Sequence, residues 1–331
     1  MGTDKADILA LLRNSKDYVS GQQLCDRFGV SRTAVWKVIN QLKEEGYQIE
    51  SVTRKGYRLV ECPEIFSEWE ITSRLTTAWA GQKICYYEET GSTNIDAKRL
   101  AEEGALHGTT VVADKQSQGR GRRGRSWQSP SGSAVYMSIA LKPDFAPDKA
   151  SMLTLVMALS VVEAITELTG LEAAIKWPND IVVNGKKVCG ILTEMSAEPD
   201  YIHYVVIGVG INVNNQTQDF EDEVRQIATS LKIEADKTIS RAAMVERILF
   251  YFEKNYDTFV RKLDLSELQE AYQKYLINLN AEVKVLDPKG EYTGIARGIN
   301  ATGELLVEKE DGTIETVYAG EVSVRGLYGY V

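Results

Sequence analysis

The chain has 331 residues, 44% of them hydrophobic and 26% charged, and a net charge of −9. At about 100–200 residues per domain this length predicts two or three domains, and the apolar content excludes a mainly disordered chain. The acidic balance argues against nucleic-acid binding by the whole surface, yet residues 1–62 carry ten Lys/Arg against eight Asp/Glu, which leaves −11 for the remainder.

The longest apolar stretch, Met152–Ile165, falls short of the roughly 20 residues of a membrane span, so no membrane association is expected. The first residues, MGTDKADILALLRNSKDYV, interrupt their apolar positions with charges and carry no secretory cleavage pattern. Four cysteines lie at 25, 62, 85 and 189 without a CxxC pair, and there are two histidines. No disulfide framework and no zinc site are expected, and a reducing cytoplasm fits best.

Ile8, Leu9, Leu11 and Leu12 predict a short first helix over Ala6–Leu12. Ser20 starts a second, which Gly29 stops, and Ser31 caps a third that Gly46 ends. In that third helix Val35, Val38, Ile39 and Leu42 follow i, i+3, i+4, i+7 spacing and form the buried stripe. Thr33, Lys37 and Asn40 then point outward, flanked by Trp36 and Gln41, with Arg32 at the start. Such side chains reach phosphates and base edges in a major groove. IESVTRKGYRLV (49–60) reads as two short strands around a basic turn, Arg54-Lys55-Gly56. Three helices and a basic hairpin predict a winged helix-turn-helix; a three-helix interaction module with a solvated polar face is the plainer alternative. Cys62-Pro63 ends the pattern, so the first domain is set at 1–63.

GRGRRGRSW (119–127) contains Gly119, Gly121 and Gly124 in a literal GxGxxG. A dinucleotide fingerprint must open a helix directly after a strand. Here the strand TTVVA (109–113) is followed by a polar loop and then SAVYMSIALK (133–142), which alternates as another strand, so a Rossmann reading is rejected. What remains is a loop with arginines at 120, 122, 123 and 125. Guanidinium forks on a glycine-rich backbone suit a phosphate or carboxylate, against the plainer reading of a mobile basic surface loop.

AAIKWPNDIVVNGKKVCGILTE (173–194) predicts strand, Pro178-Asn179-Asp180 turn, strand, Asn184-Gly185 hairpin and strand. YIHYVVIGVGINVN (201–214) reads as a central buried strand whose Gly208 and Gly210 suggest close approach to a ligand. Helices at 151–168 and 241–262 supply another layer. Two histidines do not assemble a Ser/His/Asp or Cys/His arrangement, so nucleophilic catalysis by the protein is not expected. Short strands from EVKVLD to EVSVR predict a small SH3-like barrel as a third domain.

TGSTN (90–94), GRGRRGRSW, KWPND (176–180), GKKVCGILTE and GVGINV (208–213), with the winged helix-turn-helix, resemble the bifunctional biotin–protein ligase and biotin operon repressor family over essentially the whole chain. The resemblance implies an α+β chain: winged helix-turn-helix (1–63), a class II synthetase-like ligase domain with a mixed sheet (64–279) and an SH3-like barrel (280–331). It implies that biotin and ATP, with Mg²⁺, give biotinyl-5′-AMP, and that biotin passes to a lysine of the biotin carboxyl carrier protein of acetyl-CoA carboxylase. It also implies an adenylate-promoted homodimer that represses biotin genes by binding an inverted-repeat operator.

By the same resemblance Arg122, Lys187 and Asp180 are the catalytic candidates. Ser92, Thr93, Asn94, Gln116, Arg120, Gly121, Arg122, Lys187 and Gly190 would hold biotin. Arg123, Arg125, Trp127, Asn179, Asn212 and Arg325 would hold the nucleotide. Arg32, Thr33, Trp36, Lys37, Asn40, Gln41, Arg54 and Lys55 would meet DNA. Plainer readings stand beside these: Trp127 as a core aromatic, Ser92–Asn94 as a helix cap, and Lys186 rather than Lys187 as the solvated lysine. The alternative function is a biotin-sensing repressor with little ligase activity. The dimer surface is expected at a sheet edge near Ser133–Leu141.

Overall fold

The structure, a computed structural model, describes residues 5–286, 290–318 and 323–326, the last four by backbone alone. It divides into two compact units: one runs to Leu75 and includes Ser240–Ala243, and the other comprises Thr76–Ile239 and the chain from Met244 onward.

The first unit holds α1 (Lys5–Asn14), α2 (Gly21–Phe28), α3 (Arg32–Glu44), the strands β1 (Gln48–Val52) and β2 (Gly56–Glu61), and α4 (Glu68–Thr72). The capping reading is reproduced. Ser20 Oγ accepts from the Gln23 amide at 3.1 Å while Gln23 Oε1 accepts from the Ser20 amide at 2.8 Å, and Gly29 closes α2 at φ 65°. Val35, Ile39 and Leu42 enter a core with Ile8, Leu9, Leu12, Leu24 and Ile49; Val38 only borders it. β1 and β2 pair antiparallel, and Val19 and Tyr57 exchange backbone bonds of 2.8 and 2.9 Å. A Cβ on Gly56 would lie 2.1 Å from Val19 O, so the wing needs glycine there.

The second unit carries β3 (Ile84–Thr90), α5 (Thr93–Glu102), β4 (Thr109–Gln116), β5 (Ala134–Leu141), α6 (Leu153–Thr169), β6 (Ala173–Lys176), β7 (Asp180–Val183), β8 (Lys186–Ala197), β9 (Ile202–Asn212), α7 (Asp222–Arg225), α8 (Leu231–Ala235), α10 (Gln269–Tyr275) and, from Met244 on, α9 (Arg241–Val260). Seven strands form one mixed sheet in the order β3-β4-β5-β9-β8-β7-β6, with β3 and β4 parallel and the other pairs antiparallel. β5 is therefore interior, flanked by β4 and β9, and all eight of its residues are buried. This corrects two expectations. The segment does not alternate in burial, because a central strand is covered on both faces, and Ser133–Leu141 cannot be a sheet-edge dimer surface.

A short helical turn, Pro147–Met152, runs into α6, making a 23-residue stretch apolar and long enough to cross a membrane by length and composition, longer than the sequence suggested. Most of it is buried inside the protein against β6, β7 and β8, which marks it as a core helix. After α10, the strands β10 (Glu282–Leu286), β11 (Tyr292–Ile299), β12 (Leu305–Glu308), β13 (Ile314–Val317) and β14 (Ser323–Gly326) form an antiparallel sheet in the order β13-β12-β11-β10-β14.

Candidate functional site

The chemistry gathers where β8 and β9 pass the arginine loop. Lys186 and Lys187 open β8 on opposite faces, as neighbours in a strand must: Lys186 is exposed, and Lys187 turns inward. Two backbone bonds fix Lys187, its amide donating to Ile227 O at 2.8 Å and its carbonyl accepting from the Thr229 amide at 2.9 Å. Its Nζ lies 2.6 Å from Asp180 Oδ1 and 5.4 Å from the centroid of the Trp127 ring. Asp180 begins β7 directly after the turn that contains the cis Trp177–Pro178 bond. It also accepts from Asn179 Nδ2 at 3.0 Å, while Asn179 Oδ1 accepts from Arg122 at 2.6 Å. Arg122, Asn179, Asp180 and Lys187 thus form one chain of alternating donors and acceptors. Burial lowers the Arg122 pKa, with Asp180 opposing and Arg123 reinforcing that shift.

The arginine loop closes on itself. Gly121 N donates to Arg125 O at 2.7 Å, Trp127 N donates to Gly119 O at 2.9 Å, and Arg123 adopts φ 58°. Arg120, Arg123 and Arg125 are exposed, whereas Arg122 is half-buried.

Two concavities meet here. The first is lined by Ser92, Thr93, Asn94, Gln116, Arg120, Gly121, Arg122, Trp127, Asn179, Lys187 and Gly190, so every residue expected to hold biotin lines one cavity. Ser92, Thr93 and Asn94 are buried at the start of α5. Ser92 occupies the capping position but its side chain makes no cap bond, so capping does not account for it. Gln116 Oε1 accepts from the Thr93 amide at 2.9 Å and its Nε2 donates to Ser129 Oγ at 2.9 Å, which fixes the direction of the amide.

The second concavity is lined by Gly121, Arg122, Arg123, Arg125, Trp127, Asn179, Asp180, Lys187 and Asn212, closed by Phe220, Val224, Ile227 and Ala228. Asn212 is buried and donates Nδ2 to Thr229 O at 3.0 Å, which leaves Oδ1 as the group able to meet an exocyclic amine. Trp127 is only partly buried and walls both concavities, so it is not a simple core aromatic. Its Nε1 is buried without a hydrogen-bond partner.

The glycines of β9 serve the side chains around the site. A Cβ on Gly208 would lie 2.0 Å from Asn94 Oδ1, and one on Gly210 would lie 2.8 Å from Trp127 Nε1. Both glycines line the first concavity, as the close-approach reading expected, and both are also crowded by the side chains of Asn94 and Trp127. Arg325 lies in β14 opposite Lys284, and its side chain is outside the described residues.

Sequence reasoning missed Ser138, Lys98, Glu194 and the wall around Phe220–Ala228. Ser138 had a signal, a lone hydroxyl inside the apolar run AVYMSIAL. The Phe220–Ala228 wall lies in an acidic stretch with no chemical motif.

In the first unit, Arg32, Thr33, Trp36, Lys37 and Gln41 are exposed on α3 and Asn40 is half-buried. Trp36 is 59% exposed, far from what a core tryptophan shows. Arg54 and Lys55 sit at the wing turn, Arg54 at φ 66°, and share a groove with Arg32 and the start of α2. Arg32 donates to Gln22 at 2.9 Å across that groove.

Comparison with known proteins places this geometry. Residues 87–212 match the biotin/lipoate A/B protein ligase family, residues 5–58 a helix-turn-helix domain, and residues 279–325 the biotin protein ligase C-terminal domain. A biotin protein ligase from Aquifex aeolicus, solved in complex with biotin and ATP, superposes with a TM-score of 0.66 at 33% identity over 74% of this chain and 99% of its own. The bifunctional ligase/repressor BirA of Bacillus subtilis is 42% identical over 97% of this chain and 99% of its length. A biotin–[acetyl-CoA-carboxylase] ligase of Mycobacterium tuberculosis is 31% identical over 77% of this chain and 94% of its length. This chain belongs to the family of the bifunctional ligase/repressor BirA.

Proposed function

We propose that the chain joins biotin to ATP and passes the biotinyl group to a lysine of a carrier protein, and that it represses biotin genes when no acceptor is at hand. The carrying observation is the single connected site in which Lys187, Asn179 and Arg122 face both concavities and Asp180 joins them from the second. In the first step a biotin carboxylate oxygen attacks the α-phosphorus, the bond to the bridging oxygen breaks, and pyrophosphate leaves. Two anions must approach, and fixed cations lower that barrier. Arg120, Arg122 and Arg123 surround the reacting carboxylate and phosphate, with Arg125 at the loop's outer side, and Lys187 meets the bridging oxygen.

Asp180 holds Lys187 in position before the anions arrive. Ser92, Thr93, Asn94 and Gln116 read the ureido ring, while Gly121 and Gly190 keep the cavity walls low. Trp127, Asn179 and Asn212 line the nucleotide side, and Arg325 contributes from the C-terminal sheet. Among the described residues no group of three or more His, Cys, Asp or Glu is placed to hold a metal. Mg²⁺ comes bound to the phosphates of ATP. In the second step the acceptor lysine amine attacks the mixed-anhydride carbonyl, an amide forms, and AMP leaves.

The division of labour follows the sequence: residues 1–63 bind operator DNA, 64–279 catalyse, and 280–331 complete the nucleotide side. Arg32, Thr33, Trp36, Lys37, Asn40 and Gln41 on α3 enter a major groove, and Arg54 and Lys55 on the wing meet the backbone. A homodimer promoted by biotinyl-AMP would read the inverted repeat. The carrier is the biotin carboxyl carrier protein of acetyl-CoA carboxylase. Four scattered cysteines without a CxxC pair suit a cytoplasmic location.

Lys187→Ala should slow adenylate synthesis by at least about tenfold, through loss of a charge-assisted contact of about 1.5–3 kcal/mol, with folding little changed. Single-turnover formation of biotinyl-AMP at the wild-type rate would remove Lys187 from the mechanism. Absence of pyrophosphate release by the wild type would favour the repressor with little ligase activity. A gel shift with operator DNA, tighter with biotin plus ATP than with either alone, tests the repressor arm.

A second expectation concerns the arginine loop. Its four like charges repel until an anion binds, so trypsin cleavage within Arg120–Arg125 should slow when biotin and ATP are added. An unchanged cleavage rate would separate loop order from ligand binding.

A further inference from the structure

Behind the first concavity Asn94 joins a polar cluster whose other members, Ser138, Glu194 and Lys98, have no part in the proposed chemistry. Asn94, 4% exposed, donates Nδ2 to Glu194 Oε2 at 2.7 Å and to Leu192 O at 3.3 Å. Ser138 Oγ donates to Asn94 Oδ1 at 2.6 Å and sits 2.7 Å from Thr93 Oγ1. On its other side Glu194 is ion-paired with Lys98, which reaches it from the same helix, α5.

An amide has two N–H groups and an oxygen with two acceptor positions. Here both N–H groups of Asn94 are committed to the protein and one acceptor position is taken by Ser138. One acceptor position is left, on the oxygen that stands over Gly208 in the wall of the cavity. Ser138 cannot choose this orientation, because a hydroxyl donates to an amide oxygen or accepts from an amide nitrogen equally well. Glu194 can, because an ionised carboxylate only accepts; the Leu192 carbonyl acts in the same sense through a longer contact of 3.3 Å, against 2.7 Å to Glu194. Burial pushes the Glu194 carboxyl up, but hydrogen bonds from Lys98 and Asn94 and the charges of Lys98 and Arg120 outweigh it and hold the pKa below the ordinary range. Glu194 is thus a carboxylate in the resting protein.

We propose that Glu194, backed by Lys98, is a specificity-determining positioning residue: it holds Asn94 with its oxygen toward the bound ring, so that the cavity selects a ligand presenting a ring N–H. The inference rests on the reading that this cavity takes the ureido ring of biotin. A site built around one acceptor rejects a ligand that brings a second acceptor to it, because two oxygens then face each other without a proton.

The test compares biotin with a cyclic carbamate analogue in which one ureido N–H is replaced by a ring oxygen, one analogue for each nitrogen. The readout is the ratio of kcat/KM values for adenylate formation. Wild type should prefer biotin to one of the two analogues by about a hundredfold or more. Glu194→Leu leaves the Asn94 amide only the longer bond to Leu192 O and should lower that preference at least tenfold, while the KM for ATP holds. Glu194→Gln keeps an acceptor oxygen and should keep the preference. Because Gln also leaves Lys98 unpaired, loss of preference in both variants would assign the effect to the ion pair and overturn the proposal. Retained preference in Glu194→Leu would overturn it, as would a parallel rise in KM for biotin and ATP with the ratio unchanged.

Should Glu194→Leu fail to fold, Glu194→Met serves, since it removes the carboxylate acceptor while keeping a side chain of similar length. It should lower the preference in the same way, and retained preference there would overturn the proposal. A wild-type protein that makes no adenylate from biotin would refute the underlying reading instead.

Discussion

Gly208→Ala should weaken biotin binding by roughly a hundredfold, the effect of losing two buried hydrogen bonds, or about 3 kcal/mol. The added Cβ would stand 2.0 Å from Asn94 Oδ1 and 2.8 Å from its Cγ, far inside van der Waals contact. Neither partner can yield freely. β9 is held in register on both sides, with Gly208 opposite Ser138 on β5 and Leu192 on β8. Asn94 is tied through Nδ2 to Glu194 and through Oδ1 to Ser138. It must leave that network, which removes its oxygen from the cavity and strips two buried groups of a partner. Titration calorimetry with biotin reads the affinity, and thermal melting separates it from stability. Affinity within threefold of wild type would mean that Asn94 is not part of the ligand wall. Gly210→Ala offers a contrast, since its Cβ would meet Trp127 at 2.8 Å and should disturb the nucleotide side more than biotin.

The legible parts of this chain were those in which local physics decides. Ser20, Gly29 and Ser31 mark helix ends by their own side-chain and backbone chemistry, so α2 and α3 were readable to within a residue. The stripe Val35, Ile39, Leu42 followed from helical period, and the wing from its basic glycine turn. What was not legible depends on the sheet order. SAVYMSIALK contains polar residues at its ends and a serine within, so it resembles an alternating edge strand. Only the pairing with both β4 and β9 shows that it lies at the centre. The glycines of β9 signalled a close approach to the cavity but not that Asn94 and Trp127 share it, because those two are more than eighty residues away in sequence. Glu194 ends GKKVCGILTE with no role legible there, because its partners Asn94 and Lys98 reach it only once α5 lies against the sheet.

Glu70→Ala should destabilise the first unit by about 3–5 kcal/mol, the usual cost of removing one partner from a buried ion pair. Glu70 is 1% exposed and accepts from Arg13 through both oxygens at 3.0 Å, from Arg74 Nε at 2.8 Å, and from the Tyr47 hydroxyl. One carboxylate therefore gathers α1, the start of the wing and α4. Burial first, and then the bond to Glu70, push the Tyr47 hydroxyl well above its ordinary pKa, so it stays protonated and donates. Removing Glu70 leaves two guanidinium groups facing one another around a gap. Calorimetric melting should show an earlier transition, and gel-shift affinity for operator DNA should fall with it. Adenylate synthesis, seated in the second unit, should change little. Glu70→Gln keeps the shape and two hydrogen-bonding atoms and should lose less.

The same cluster bears on how the DNA-binding part is separated from the rest. A break after Cys62 removes Arg13 and Tyr47 while leaving Glu70 behind, whereas a break after Leu75 removes the whole cluster. Residues 76–331 should therefore be more soluble than residues 63–331, which keep Glu70 without Arg13 and Tyr47, with both still able to biotinylate an acceptor. Equal melting of wild type and Glu70→Ala would show that the buried carboxylate specifies the packing of α4 without stabilising it, and would remove the reason for choosing the later break.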